Sequence, residues 1–173
     1  MSRVMRAALW GGLILGVVLC SAVCKAADTT RLDVSGTLIK PPCTADFPST
    51  QSVEVPKVNL NSLQSGITEW TDLTFDFHCT KGSTVQVRFT AGNGTYDPAT
   101  LRTTLDKLGL NTRLSDVTST ARAIDMNLGE RLTFAVPDTA LNLKLSVRPV
   151  KTGEQLPVIG TYSATLLMEV VYL

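Results

Sequence analysis

The sequence predicts an all-β fold, an antiparallel β-sandwich. Apolar and polar residues alternate with a period of two in seven or eight short runs, turn signals recur about every 8 to 12 residues, and hardly any segment has helical periodicity. The clearest run is the last, Gly160 to Leu173. Tyr162, Ala164, Leu166, Met168, Val170 and Tyr172 fall on one face, and Thr161, Ser163, Thr165, Leu167, Glu169 and Val171 on the other. A long, mostly apolar strand with no following segment to pair with it invites cover from another chain. The alternative is that earlier strands of the same chain pair with it on both sides.

Residues 1–26 have the pattern of a signal peptide: Arg3 and Arg6, an uncharged apolar run from Ala7 to Leu19, and small residues before an expected cleavage at Ala27. The run is shorter than the roughly 20 residues that span a bilayer, so no retained membrane anchor is expected. Lipid attachment at Cys24 fits poorly, because Ser21-Ala22-Val23 is a weak lipoprotein signal.

From Leu32, the residues Leu32, Val34, Gly36 and Leu38 alternate with Asp33, Ser35 and Thr37 until Pro41-Pro42 stops the pattern. Gly36 marks either a bulge or a close neighbour. Val53 to Leu60 is a second extended piece, interrupted by Pro56 as an edge strand would be, and Asn61 to Gly66 is turn-like. Leu73, Phe75, Phe77 and Cys79 alternate with polar residues, and so do Val85, Val87, Phe89 and Ala91 after the Lys81-Gly82 turn. Asn93-Gly94-Thr95 matches a glycosylation acceptor, but a simple Asn-Gly turn explains it better. Residues 99–107 suit a short helical turn. Leu108–Leu114, Ala123–Leu128, Leu132–Val136 and Leu141–Val147 read as strands, and Pro149 to Pro157 links them to the last one.

Without residues 1–26, the remaining 147 carry 13 basic and 15 acidic residues, a formal charge of −2, because Arg3, Arg6 and Lys25 leave with the signal. That balance argues against nucleic acid as a partner. The length suits one domain. Cys43 and Cys79 are then the only cysteines, and in an exported chain a disulfide between them is the default over two buried thiols.

Reactive constellations are missing. His78 is the single histidine and sits on the polar face of its strand; with the cysteines bridged, no zinc-ligand set remains. Asp72 and Asp76 lie about 13 Å apart along a strand, too far for paired-carboxylate chemistry. There is no nucleophile elbow, phosphate loop or Cys-x-x-Cys pair, and Trp70 alone makes a weak stacking platform. No catalytic residue, metal or cofactor is expected, and the residues point to binding and assembly.

Three stretches together resemble one family, the pilin subunits of fimbriae built by the bacterial chaperone–usher pathway. They are Gly36-Thr-Leu-Ile-Lys-Pro-Pro-Cys43, the second cysteine at Cys79, and the ending with Gly160 fourteen residues from the terminus and an aromatic, Tyr172, next to last. Residues 92 to 130 carry only generic matches such as Leu108-Gly-Leu. The resemblance implies an incomplete immunoglobulin-like β-sandwich lacking its final strand, over residues 40–173, with an N-terminal donor-strand extension over 27–39. A periplasmic chaperone would fill the groove, and the extension of the next subunit would replace it at an outer-membrane usher. Leu32, Val34, Gly36 and Leu38 would then enter a neighbour's groove. Gly160, Tyr162, Ala164, Leu166, Met168, Val170, Tyr172 and Leu173 would form the strand that chaperone and neighbour pair with. The protein would pass through the periplasm to a fimbrium on the outer surface. Major, adaptor and terminating subunits all fit the resemblance. The rival class is a self-contained secreted β-sandwich adhesin or carbohydrate-binding module, which predicts a closed fold with a polar or aromatic pocket.

Overall fold

A computed structural model describes residues 32–173; the expected signal segment and residues 27–31 of the extension lie outside the described residues. Residues 32–38 belong to a unit separate from the sandwich, which begins at Ile39. They form no strand, and their side chains are exposed.

The sandwich has ten strands in two antiparallel sheets. In chain order they are β1 (Cys43–Ala45), β2 (Thr71–Cys79), β3 (Ser83–Ala91), β4 (Thr95–Asp97), β5 (Thr100–Arg102), β6 (Leu108–Asp116), β7 (Arg122–Ile124), β8 (Arg131–Val136), β9 (Ala140–Lys151) and β10 (Leu166–Tyr172). The larger sheet runs β1-β2-β9-β6-β5-β4, with β7 also paired to β6; the smaller runs β10-β3-β8. Alternation decides which side chains turn inward. Phe77 of β2, Val85, Val87 and Phe89 of β3, Leu114 of β6 and Leu143 of β9 are at most 1% exposed, and they fill the space between the sheets.

Several segments differ from the sequence reading. The Asn61–Gly66 turn is a six-residue helix, α1 (Leu60–Ser65). The Asn59 side chain caps it by accepting from the Ser62 amide at 2.8 Å, Gly66 ends it at φ 71°, and Leu63 pins it into the protein. Six residues are too few to show a period. Residues 99–107 contain β5 and a turn through Lys107 (φ 64°) instead of a helical turn. Pro149 lies within β9 instead of ending it; it pairs opposite Leu110, and the ladder continues to Lys151. Finally, Val53–Leu60 joins no sheet, although Val55 packs against the core.

The close approach of β6 to its neighbours requires Gly109. A Cβ there would lie 2.5 Å from the Thr100 methyl and 2.9 Å from that of Thr152.

Candidate functional site: an open groove beside the last strand

β10 pairs with β3 from Leu166↔Ala91 to Tyr172↔Val85 and has no strand on its other side. The pairing phase identifies which backbone groups are left over. Leu173 and Thr84 exchange both amide bonds (2.9 and 3.3 Å), and the Gly92 amide donates to the Thr165 carbonyl at 2.8 Å. In an antiparallel ladder, residues whose backbones face the partner alternate with residues whose backbones face away. Residues 165, 167, 169, 171 and 173 therefore use their backbones on β3. The amides and carbonyls of Leu166, Met168, Val170 and Tyr172 point to the unpaired edge, and the side chains of these same four residues pack against the core.

The core is open beside that edge. A cleft of about 460 Å³ is walled by Ala164, Leu166, Met168 and Val170 on one side and by Phe47, Val53 and Val55 on the other. Its floor is the sandwich interior, including Phe75, Phe89, Leu101, Leu110 and Leu145. A second cleft of about 390 Å³ lies between Gly160 and Tyr162 and the segment bearing Val58, Leu60 and Leu63, with Leu105 and Leu108 also lining it. Both clefts run between the same two stretches of chain, 47–63 and 157–170.

The ladder covers less of the last stretch than its alternation suggests. Gly160, Tyr162 and Ala164 precede β10 and join no sheet. Here the chain leaves β3 and bonds to the β5–β6 turn instead: the Thr104 amide donates to the Ser163 carbonyl at 2.9 Å, and the Ser163 amide donates to Thr104 Oγ1 at 3.0 Å. This crossing carries Tyr162 to the second cleft. Its hydroxyl is buried without a hydrogen-bond partner, and burial pushes the phenol above its ordinary pKa. Burial does the same to Tyr172. Outside the groove, Arg88 of β3 pairs with Glu169 across the strands and secures the register of β10.

Cys43 and Cys79 face each other across β1 and β2 and are bridged. The bridge ties the root of residues 32–38 to the sandwich, with the Thr80 amide donating to the Pro42 carbonyl at 2.6 Å. Leu32, Val34 and Leu38 are 83%, 86% and 100% exposed, and a Cβ on Gly36 would meet no atom within 4 Å. Lys40, Pro41 and Pro42 border the same surface hollow as Leu173, so the exposed segment departs from the end of the sandwich where β10 finishes.

The wall formed by Phe47, Val53 and Val55 is the part that sequence reasoning missed. Its signal is the Val-x-Val spacing, which suits an edge strand or a bulge, although the segment makes no ladder. Trp70 is flanked by the guanidinium groups of Arg113 and Arg148, 4.5 and 4.6 Å from the ring centroid, so its faces are already engaged. Nearby, Asp72 is held below the usual carboxylate pKa, first by the Ser146 hydroxyl and then, against some desolvation, by Lys144. His78 is exposed, 3.7 Å from the Asp46 carboxylate. Among the described residues, no group of three or more His, Cys, Asp and Glu side chains could hold a metal ion, and no helix is long and apolar enough to cross a membrane.

The profile of the family described as fimbrial protein matches residues 32–172. No curated protein matches the chain. Among solved structures, the fold is similar to a chain of a chaperone–usher pilus whose structure addresses rod uncoiling, with TM-score 0.60 and 16% identity, covering 85% of this chain and 97% of that one. It is also similar to PapA, the P pilus rod subunit, with TM-score 0.51 and 18% identity, covering 76% of this chain and 99% of that one.

Proposed function

The chain belongs to the fimbrial protein family, and from that premise we propose that residues 32–38 are the strand that fills the groove of a neighbouring subunit, while its own groove receives the corresponding segment of the next. The protein is a structural subunit of a surface fimbrium, not an enzyme; its partners are a periplasmic chaperone, an outer-membrane usher and neighbouring subunits. One observation carries the residue assignment: the free backbone edge of Leu166, Met168, Val170 and Tyr172 borders a cleft that opens the apolar core. A strand laid there would supply both the missing backbone bonds and the missing side chains. Residues 32–38 have the matching chemistry, with three exposed apolar side chains and a glycine at alternate positions.

Chain direction gives the polarity. The segment leaves its own sandwich at the end where β10 finishes. If successive subunits lie end to end in one orientation, it reaches the next groove at the Gly160 end and runs antiparallel to β10. Leu38 then sits nearest Gly160 and Tyr162, and Leu32 lies toward Val170. Burying Leu32, Val34 and Leu38 supplies about 5–9 kcal/mol before ordering costs.

Periplasmic expression with and without a co-expressed pilus chaperone tests this reading. The subunit alone is expected to be scarce or aggregated, and the chaperone to rescue it. Deleting Tyr172 and Leu173 is expected to weaken chaperone capture. Abundant soluble monomer without a chaperone would favour a closed binding module and refute the open groove.

A further inference from the structure

We propose that Val158 and Ile159 form a collar at the mouth of the groove that packs against Ile39 of the incoming subunit and fixes the angle between successive subunits. This rests on the donor-strand reading above; Val158 and Ile159 line the second cleft where it opens beside Gly160, and Ile39 follows the inserted residues 32–38.

Val158 and Ile159 are 72% and 89% exposed and stand immediately before Gly160, where the groove begins. Two adjacent β-branched apolar side chains in water are costly unless a partner covers them. Their segment is held from several sides. Pro157 is buried, the Thr152 amide donates to the Lys107 carbonyl at 3.0 Å, and Lys151 Nζ donates to the Glu154 carbonyl at 3.0 Å. The collar is therefore presented on a supported loop.

The incoming subunit brings a matching surface to that place. With Leu32, Val34, Gly36 and Leu38 turned to the floor, the next residue, Ile39, points outward at the rim. Ile39 is itself 76% exposed. Lys40-Pro41-Pro42 then joins it to the bridged Cys43, so the distance from rim to the next sandwich is short and stiff. The occupant is thus a neighbouring subunit, here represented by a second copy of this chain.

Fibres assembled from full mature chains carrying both Ile39→Cys and Ile159→Cys, under mild oxidant, test the contact. The control is native mass spectrometry of wild-type peptide 27–39 inserted into the same chain. Peptide insertion together with a reducible ladder of cross-linked oligomers is the expected result. Insertion without a ladder would overturn the collar and leave the donor strand standing; loss of both would overturn the donor strand and the collar with it. A second variant, Val158→Ser with Ile159→Ser, substitutes only exposed side chains. Because both residues line the second cleft, the readout is a ratio: release of a neighbouring subunit should quicken about tenfold more than release of peptide 27–38, a difference of about 1.4 kcal/mol. An unchanged ratio, or a loss of chaperone capture with an unchanged ratio, would assign these residues elsewhere and overturn the proposal.

Discussion

Replacing Cys43 and Cys79 together by alanine removes the disulfide that cross-links β1, which follows residues 32–38 in the chain, to β2. The two residues pair directly across β1 and β2 and close a loop with a sequence separation of 36. Loop-entropy reasoning gives about 4 kcal/mol at 25 °C for a loop of that length, a large share of the roughly 5–15 kcal/mol that stabilises a typical domain. β1 has only three residues and pairs with β2 alone, so little else compensates. The next anchor is Phe47, whose ring meets Phe75 and Phe77 edge-on at 5.2 Å each. Phe47→Ala should therefore cost more in the alanine double mutant than in the bridged protein, because each anchor limits the movement that loss of the other allows. Urea unfolding of the chain complemented with peptide 27–39, the arm peptide, measures both effects through the midpoint and slope. A loss below about 1 kcal/mol, or strict additivity with Phe47→Ala, would refute the view that the bridge is the principal anchor.

Gly36→Leu in the arm peptide is expected to slow or block insertion, at a cost of about 1–3 kcal/mol or more from overpacking, while Ser35→Leu on the outward face inserts nearly as the parent does; competition binding to the chaperone-released subunit compares them. Because burial raises the pKa of Tyr162 and Tyr172, the folded chain retains phenolic protons that the unfolded chain releases. Their stabilisation is complete below the unfolded value of about 10 and is lost as pH rises above it, so the melting temperature should fall over that range and fall less in the Tyr162→Phe, Tyr172→Phe variant.

Much of the architecture is legible in the alternation because a strand between two sheets commits every second residue to the interior. β2, β3 and β9 show this directly, with Phe77, Val87 and Leu143 inward and Asp76, Gln86 and Asn142 outward. Alternation does not report the hydrogen-bond partner, however. The segment Gly160–Thr165 keeps the period of a strand while the backbone of Ser163 bonds to Thr104 in the β5–β6 turn. Val53 and Val55 likewise have strand chemistry but work as a wall without a ladder. α1 was hidden for the opposite reason, since a cap at each end and one buried leucine suffice for six residues. The alternation of residues 32–38 reads as a strand, whereas in the structure the segment forms none and its side chains are exposed.

Hydrogen exchange at β10 tests the open edge most directly. In the monomeric mature chain, the amides of Leu167, Glu169 and Val171 should be protected by β3, and those of Leu166, Met168, Val170 and Tyr172 should exchange freely. Adding peptide 27–39 should protect the second set and leave the first unchanged. Protection of Leu166, Met168, Val170 and Tyr172 before peptide is added, or free exchange after it has bound, would contradict the account.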